Sequence, residues 1–424
     1  MTDRVGVAVI GAGYWGKKLV SEYLPAEKNG KIKLVKVCDP SLAALGGLLI
    51  SKQTSSIDQS RLTQKISDVM QDPEIAAVHI ASPNPTHYST AKMALDAGKN
   101  VLVEKPMTLN SHQAYELVEL ARSRGLVIHV GHVFRFNTAL HAARDVMNKG
   151  ELGKLFYVRI QWTDRAFFPD RDIVFDLGPH PVDILNQLFG MWPQEVNGIT
   201  RGFRGERGEV AYVIAEFPND TFAHIELSWL HPNKVREVTI VGSNATLLVD
   251  CIKQTVRKSN HDSYHEIPVL PSNTIASEIS NFVDSIVRHD TSSESGLIGA
   301  HTVETLEHIR SSIWDRPLPI MKPAQTSTDS TFDALELMSA RKVTSKEIEG
   351  NSQLQRSIGT LLKSGLVTRT IGEGMYYELT AAGSSFLERY HEITLSPSEE
   401  MPPVEVREPG PRREKQPSSL DESG

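Results

Sequence analysis

Three side chains near the middle of the chain have the types and spacing needed to take a proton from an alcohol. Lys105 follows an apolar run, and Asp176 and His180 lie four residues apart, on one face of a predicted helix. Histidine is the usual general base near neutral pH, and a nearby carboxylate orients it and stabilises its protonated form. Asp183 is a second acidic neighbour of His180. The alternatives are a solvated surface lysine and a structural histidine–aspartate pair.

A glycine motif at the start of the chain is suited to binding a pyrophosphate. Gly11, Gly13 and Gly16 directly follow the first apolar run, Val5–Ile10, and open a predicted helix. The first glycine permits a tight turn, the second lets backbone approach a phosphate, and the third lets the helix pack closely on the strand. Because helix N-termini present free N–H groups and a partial positive charge, this motif predicts a dinucleotide site.

An acidic residue ends the second apolar run. Asp39 lies 23 residues after Gly16, where a carboxylate can accept hydrogen bonds from both ribose hydroxyls of an adenosine. The same carboxylate repels a 2′-phosphate, and residues 40–42 supply no arginine. We therefore expect NAD rather than NADP. The alternative is a surface turn, since Asp-Pro is a common turn dipeptide.

The elements that must position these residues fall into two patterns. Residues 1–130 alternate short apolar runs with helical patterns, which predicts a parallel sheet of the Rossmann type. Lys105 then follows a strand at the sheet edge where ligands bind. Residues 131–322 contain consecutive strands with few helices between them, which predicts an α+β domain with a large, mostly antiparallel sheet. One face of that sheet is expected to pack on a partner subunit.

The C-terminal part is expected to be separate. Residues 322–331 are polar and predict a linker, and residues 332–393 form a third unit with helical patterns and a predicted hairpin. Residues 395–424 are rich in Pro, Glu, Arg and Ser and have almost no large apolar side chain. Because such a segment buries too little surface to offset its ordering entropy, we predict that it is disordered.

Composition excludes several classes of protein. The chain has 424 residues and a formal net charge of −7, which does not favour general affinity for nucleic acid or anionic membranes. No signal peptide and no apolar run long enough to span a membrane is apparent. Two scattered cysteines, Cys38 and Cys251, predict neither a disulfide framework nor a metal site. We expect a cytoplasmic protein without a bound metal.

Taken together, the motifs resemble the Gfo/Idh/MocA family of glucose–fructose oxidoreductases and inositol dehydrogenases. The resemblance covers roughly residues 4–320 and rests on five segments: residues 11–16, 81–87, 104–106, 131–136 and 176–183. It implies a Rossmann domain followed by an α/β domain, an NAD(P)-dependent oxidation or reduction of sugars or inositols, and a homodimer or homotetramer. It also implies that Lys105, Asp176 and His180 surround the reactive carbon, with the histidine as acid and base.

The resemblance further implies the residues that contact the ligands. Those expected at the cofactor are Gly11, Gly13, Tyr14, Trp15, Gly16, Asp39, Ser82, Pro83, Asn84, Thr86, His87, Glu104 and Lys105. Those expected at the substrate are Arg165, Arg171 and Asp183. The two arginines suit phosphate and carboxylate groups. Residues 165–171 are similar to those of members that act on nucleotide-linked amino sugars. The predicted reaction is oxidation of such a sugar, a UDP-linked N-acetyl amino sugar, at C3.

Two alternatives stay open at this point. The first is an inositol or free-sugar dehydrogenase with the same site. The second is a sugar-sensing transcriptional regulator, because residues 332–393 resemble a winged helix, a fold that often binds DNA. Residues 331–392 carry seven Lys and Arg and eight Asp and Glu, a net charge of 7 − 8 = −1. This balance favours an oligomerisation or regulatory module over DNA binding.

Overall fold

The computed structural model describes residues 4–165, 171–203, 208–218, 220–260, 263–314, 329–371, 375–385 and 387. They divide into two units, residues 1–317 and 318–424, which are considered separately below. The domain boundaries predicted from the sequence stay predictions, and the tail from residue 395 lies outside the described residues.

The first unit combines two sheets with helices on their faces. Its strands are β1 (Val5–Ile10), β2 (Ile32–Cys38), β3 (Leu62–Thr63), β4 (Ala77–Ile80), β5 (Asn100–Val103), β6 (Ile128–Val130), β7 (Leu155–Thr163), β8 (Glu195–Arg201), β9 (Val210–Phe217), β10 (Thr221–Ser228), β11 (Val235–Gly242), β12 (Thr246–Asp250), β13 (Thr255–Ser259) and β14 (Tyr264–Ile267). Its helices are α1 (Tyr14–Ala26), α2 (Leu42–Ile50), α3 (Ser67–Met70), α4 (His87–Asp96), α5 (Ser111–Ser123), α6 (Thr138–Asn148), α7 (Ile173–Leu177), α8 (Pro179–Phe189), α9 (Thr274–Val287) and α10 (Glu294–Trp314).

The first sheet has the order β3-β2-β1-β4-β5-β6, and all its strand pairs are parallel. Every residue of β1 is buried, because alternate side chains enter two cores. Val7 and Val9 pack with α1 and α9, whereas Ala8 and Ile10 pack with α4 and α5. A parallel sheet covered by helices on both faces requires such continuous apolar strands. The predicted Rossmann domain is confirmed by this strand order.

The order of the strands reverses between β1 and β4, which are neighbours in the sheet. At such a switch point the loops that leave the carboxyl ends of the strands diverge and open a crevice. The glycine turn after β1, Asp39 after β2 and Glu104 after β5 therefore reach the same edge of the sheet.

The second sheet has the order β14-β13-β12-β11-β7-β10-β9-β8. Its pairs are antiparallel except for β7 with β10, so the predicted mostly antiparallel sheet is present. Helices α6, α7 and α10 pack on one of its faces. Sequence analysis missed the edge strands β8 and β14 and the strand β13 next to β14, because their exposed positions leave little apolar alternation to detect.

The second unit contains α11 (Asp329–Ala340), α12 (Ser345–Glu349), α13 (Ser352–Lys363), β15 (Val343–Thr344), β16 (Val367–Ile371) and β17 (Met375–Leu379). Its strands form an antiparallel sheet of order β15-β17-β16. The Thr344 side chain and Glu347 form a capping box that fixes the start of α12. The first three helices and the strand pair lie where helices and a hairpin were predicted, the last predicted helix, residues 380–390, lies partly outside the described residues, and the assignment of a winged helix stays a prediction.

No helix in the described ranges has the length and apolar character required to cross a lipid bilayer. Cys38 and Cys251 are both buried as free thiols.

Candidate active site

The carboxyl-terminal edge of the first sheet and the α7–α8 segment line one cleft of about 1430 Å³. That volume exceeds the ~300–1,000 Å³ of a typical small-molecule pocket, so a dinucleotide and a second ligand fit together. The predicted cofactor residues that line it are Gly11, Gly13, Tyr14, Trp15, Asp39, Ser82, Pro83, Asn84, Thr86, His87, Glu104 and Lys105. Asp176, His180 and Arg171 line the same cleft.

The glycine turn has the geometry that a bound pyrophosphate requires. Gly11 has a φ of 105°, and a Cβ atom there would lie 2.5 Å from the carbonyl oxygen of Ala81. A Cβ on Gly16 would lie 1.9 Å from the oxygen of Gly11. At Gly13, in contrast, no described atom lies within 4 Å of a Cβ position. No side chain caps the start of α1, so its first N–H groups remain available for an anion. These residues fit a dinucleotide.

The carboxylate of Asp39 is held in place at the end of β2. Its Oδ2 accepts a hydrogen bond from the backbone N–H of Ala12 at 2.7 Å, and its Oδ1 accepts one from Ser41 at 2.8 Å. Each carboxylate oxygen has a second lone pair. Asp39 can therefore accept further hydrogen bonds from ribose hydroxyls in the cleft.

His87 joins two loops of the cleft. Its Nδ1 lies 2.8 Å from the carbonyl oxygen of Pro106, and its Nε2 lies 2.8 Å from that of Ser82. The imidazole is buried, and burial lowers its pKa, whereas the two carbonyl contacts act in the opposite direction. The side chain holds the loop after β4 against the Lys105–Pro106 segment.

Lys105 reaches from the end of β5 to the α7 segment. Its Nζ donates a hydrogen bond to the backbone oxygen of Asp176 at 2.9 Å. Burial lowers the pKa of Lys105, and the carboxylates of Asp176 and Glu104 oppose that effect. The ammonium group is thus fixed at the cleft wall by a neutral acceptor and has further N–H donors for a ligand oxygen.

The side chain of Asp176 has partners of its own. Its Oδ1 accepts from Arg171 Nη1 at 3.0 Å, and its Oδ2 accepts from the indole N–H of Trp229 at 3.3 Å. These contacts orient the carboxylate independently of Lys105, which binds only the backbone of the same residue.

His180 is surrounded by aromatic rings and cations. Its ring lies 4.9 Å from that of Phe134 and 5.7 Å from that of Trp162. Burial, followed by the positive charge of Lys105, lowers the pKa of His180 well below its ordinary value. Both effects favour the neutral imidazole, which is the form that accepts a proton. Its Nδ1 is buried and has no hydrogen-bond partner in the described part of the chain.

Four expectations about this segment and its neighbours differ from the structure. The predicted single helix is divided at Gly178, so Asp176 ends up in α7 and His180 in α8, although both side chains still reach the cleft. No carboxylate orients His180 among the described residues. Asp183 is buried and bonds to Arg135 Nε at 2.6 Å, so its side chain does not reach the cleft. Arg165 is exposed and is not part of the cleft wall as described.

Sequence analysis missed two arginines: Arg310 lines the cleft, and Arg236 contributes positive charge that acts on Lys105 and His180. Arg236, on β11, lies over the Trp162 ring at 4.9 Å, and burial lowers its pKa to about 10. Arg310, on α10, lines the cleft and lies over the Phe175 ring at 4.8 Å. No local motif marks either residue, because each reaches the site through the packing of the second sheet and α10 against the first domain.

Comparison with known proteins shows two family matches. A family model described as "Oxidoreductase family, NAD-binding Rossmann fold" matches residues 5–132, and the GFO/IDH/MocA C-terminal domain matches residues 140–248. The chain is 29% identical to the uncharacterized oxidoreductase YdgJ of Escherichia coli over 202 residues, which are 45% of this chain and 55% of that protein. The alignment thus spans about half the length of that relative.

Other relatives have named activities. The chain is 25% identical over 254 residues to UDP-N-acetylglucosamine 3-dehydrogenase of Acidithiobacillus ferrooxidans, covering 57% of this chain and 79% of the relative. It is 27% identical over 289 residues to scyllo-inositol 2-dehydrogenase (NAD(+)) of Bacillus subtilis, covering 63% and 81%. A solved structure of the Acidithiobacillus enzyme aligns with a TM-score of 0.63 and 22% identity over 73% of this chain and 98% of that one.

The glycine turn leads to a direct test. In Gly16→Ala the new Cβ would meet the Gly11 oxygen at 1.9 Å, so the turn must shift. We expect the free energy of unfolding to fall by about 1–3 kcal/mol. Dinucleotide binding should become weak or undetectable. Denaturant unfolding and cofactor titration measure both quantities. Gly46→Ala, in α2, meets no described atom within 4 Å and serves as the control. A Gly16→Ala variant that binds as the wild type does would contradict the assignment of the turn.

Proposed function

Because this chain belongs to the Gfo/Idh/MocA oxidoreductase family, we propose that it is an NAD-dependent dehydrogenase that removes hydride from a secondary alcohol of a sugar. The main support is that Lys105 and a neutral His180 line the same cleft as the glycine turn and Asp39. Nicotinamide supplies hydride chemistry when it is bound. The chain's own residues then handle the hydroxyl proton and the charge on its oxygen.

The proposed roles follow from the contacts. Lys105, fixed by the Asp176 carbonyl, donates a hydrogen bond to the substrate oxygen and stabilises the negative charge that develops there. His180 takes the hydroxyl proton as the C–H bond transfers hydride, so that an alcohol and NAD⁺ yield a ketone, NADH and a proton. Asp176 balances the positive charge of Arg171 and Lys105 beside the reacting group.

The cofactor is proposed to be NAD rather than NADP. Asp39 presents a carboxylate at the end of β2, and two backbone N–H groups hold it there. A 2′-phosphate next to this carboxylate would be repelled. The proposal is supported by the residues after Asp39, Pro40 and Ser41, which carry no positive charge.

The substrate is proposed to be a nucleotide-linked amino sugar, oxidised at C3. Arg171 and Arg310 line the cleft with Lys105, so its wall is suited to a sugar that carries phosphate groups. The relative from Acidithiobacillus ferrooxidans, a UDP-N-acetylglucosamine 3-dehydrogenase, supports this class. The second candidate is an inositol or free sugar, which the Bacillus subtilis relative supports.

Reduction of NAD⁺ with a panel of substrates separates these candidates. The panel contains UDP-linked amino sugars, their uronates, inositols and free hexoses. Turnover with a UDP-linked amino sugar supports the proposal, and turnover with inositols alone supports the second candidate. Cofactor binding without turnover on any member would contradict both assignments. A shift of promoter DNA by the same preparation would then favour the regulator alternative.

Self-association is proposed to use the uncovered face of the second sheet. Alternate residues of its strands place half-exposed apolar side chains on this face: Tyr157, Ile199, Tyr212, Ile214, Phe222 and Leu248. Tyr157 and Phe222 pair across β7 and β10, and their rings stack at 5.6 Å. A large exposed apolar patch of this kind is typical of a subunit interface, and a second copy supplies the matching face.

The second unit is proposed to be an oligomerisation or regulatory module, and a cytoplasmic location stays a prediction.

The role of Lys105 is tested by Lys105→Ala. We expect the turnover number to fall by roughly 100-fold or more, since a charge stabiliser of the transition state is lost. Affinity for NAD⁺, measured by titration, is expected to change much less. Lys92→Ala, which removes a surface lysine bonded to Glu116, is the control. Equal turnover in wild type and Lys105→Ala would remove the lysine from the mechanism.

The cofactor preference is tested by Asp39→Asn. This change keeps a hydrogen-bond acceptor but removes the charge, so NADP should gain relative to NAD by roughly tenfold or more in kcat/KM. Steady-state kinetics with both cofactors give the ratio. An unchanged ratio would show that the carboxylate does not select the cofactor.

The interface is tested by Phe222→Glu. A charge at the centre of the face should convert the oligomer to monomers, which light scattering after size exclusion detects. Ile50→Glu changes an exposed residue at the end of α2 and should leave the mass unchanged. A wild-type chain that is already monomeric at micromolar concentration would refute the proposed interface.

A further inference from the structure

Helix α9 contains a buried acid that no motif predicts. Glu278 is 2% exposed, and neither of its carboxylate oxygens has a hydrogen-bond partner in the described part of the chain. A buried ionised carboxylate without a partner costs far more than a typical fold can offset. The side chain therefore holds a proton or contacts a group that compensates its charge.

Polar groups close to Glu278 belong to β4, to the residue that follows β5, and to α1. Polar atoms of Glu278, His79 and Glu104 lie within 4.8 Å of one another, and all three residues are buried. Glu104 Oε1 accepts a hydrogen bond from the Trp15 indole N–H and lies 3.5 Å from His79 Nε2. The other nitrogen of His79 lies 3.1 Å from the Tyr23 hydroxyl. Glu104 thus has a donor, and Glu278 has none.

Several of the other charged groups around α9 are paired. Arg135, in the short helix of residues 133–136 that packs on α9, bonds to Asp183 at 2.6 Å and to Asn186 at 2.6 Å. Glu22 on α1 accepts from Asn273, and Asp284 on α9 accepts from Lys31. Glu278 has no bonded cation among the described residues, and burial lowers to about 4 the pKa of His129, whose ring packs on Phe282 of α9.

Two carboxyl groups that share one buried site do not both ionise, because their like charges repel in a medium that screens them poorly. Burial, followed by the charge of Glu104, raises the pKa of Glu278 well above its ordinary value. Glu104 has the Trp15 indole N–H as a hydrogen-bond donor, whereas Glu278 has no hydrogen-bond partner among the described residues.

We propose that Glu278 and Glu104 share a single proton, carried by Glu278, so that the pair places one negative charge at the wall of the cofactor cleft. Glu104 lines the cleft and Glu278 does not. The next step rests on the proposed function. The negative charge at the cleft wall favours the oxidised, positively charged nicotinamide over its reduced form. Glu278 is then a positioning residue that acts through Glu104.

The proton itself is tested without cofactor. Infrared difference spectra of wild type and Glu278→Gln should contain a C=O band of a protonated carboxyl group at neutral pH that the variant lacks. Glu119→Gln, on the surface of α5, should change only carboxylate bands. Absence of the protonated band in wild type would overturn the proposal. So would one divalent metal ion per chain in elemental analysis, because a cation would then compensate both carboxylates.

The pH dependence of stability is a second test. The pKa of Glu278 is raised in the folded state. Below its pKa in the unfolded chain, about 4.3, the bound proton makes its full contribution to stability. This contribution is lost as the pH rises. Relative to Glu278→Gln, the wild-type unfolding constant should rise about tenfold per pH unit above pH ~5. Fluorescence of the five tryptophans, all within residues 1–317, reports unfolding of this unit. Parallel pH profiles for the two proteins would overturn the proposal.

The effect on the cofactor is a separate measurement. Glu104→Gln should weaken NAD⁺ binding about tenfold more than NADH binding, since only the oxidised ring carries the charge. If neither form binds to the wild type, the proposed function is wrong. The infrared band still shows whether the two carboxyl groups share a proton. If both forms weaken equally in Glu104→Gln, the inferred role of the charge is wrong.

Discussion

The hydrogen bond from Lys105 Nζ to the backbone oxygen of Asp176 is the contact on which the rest of the site depends. It joins the end of β5 in the first domain to α7, which packs on the second sheet, across 71 positions of sequence. The contact uses a carbonyl, so the Asp176 carboxylate remains free to bind Arg171 and Trp229. One residue therefore orients the lysine and also contributes a separate negative charge.

Charge balance explains why the deeper residues are arranged as they are. Lys105 and Arg236 place positive charge close to His180, and together with burial they keep the imidazole neutral. The carboxyl group of Glu104, which lines the same cleft, accepts a hydrogen bond from the Trp15 indole. In the proposed mechanism, one region of the site accepts a proton and favours an anionic oxygen, and another region favours a cation.

Much of this arrangement was predictable from local patterns. The turn at Gly11 and Gly16 and the carboxylate of Asp39 were placed correctly, because strand, turn and helix are contiguous there and their geometry is local. Lys105 was predicted at the sheet edge for the same reason. The break at Gly178 was missed because both sides continue with helical residues, and Pro179, a good first residue of a new helix, was not recognised as its start.

The sequence by itself determined the order of elements, the parallel sheet and the residues that line its carboxyl edge, because these follow from hydrophobic periodicity and contiguous motifs. Tertiary structure alone decided which charges meet. Asp183 binds Arg135 rather than the cleft, Arg310 enters the cleft from α10, and Glu278 meets Glu104 from α9. Such pairings join residues far apart in the chain, and the energy of a charge depends on its partners and burial, neither of which a local pattern encodes.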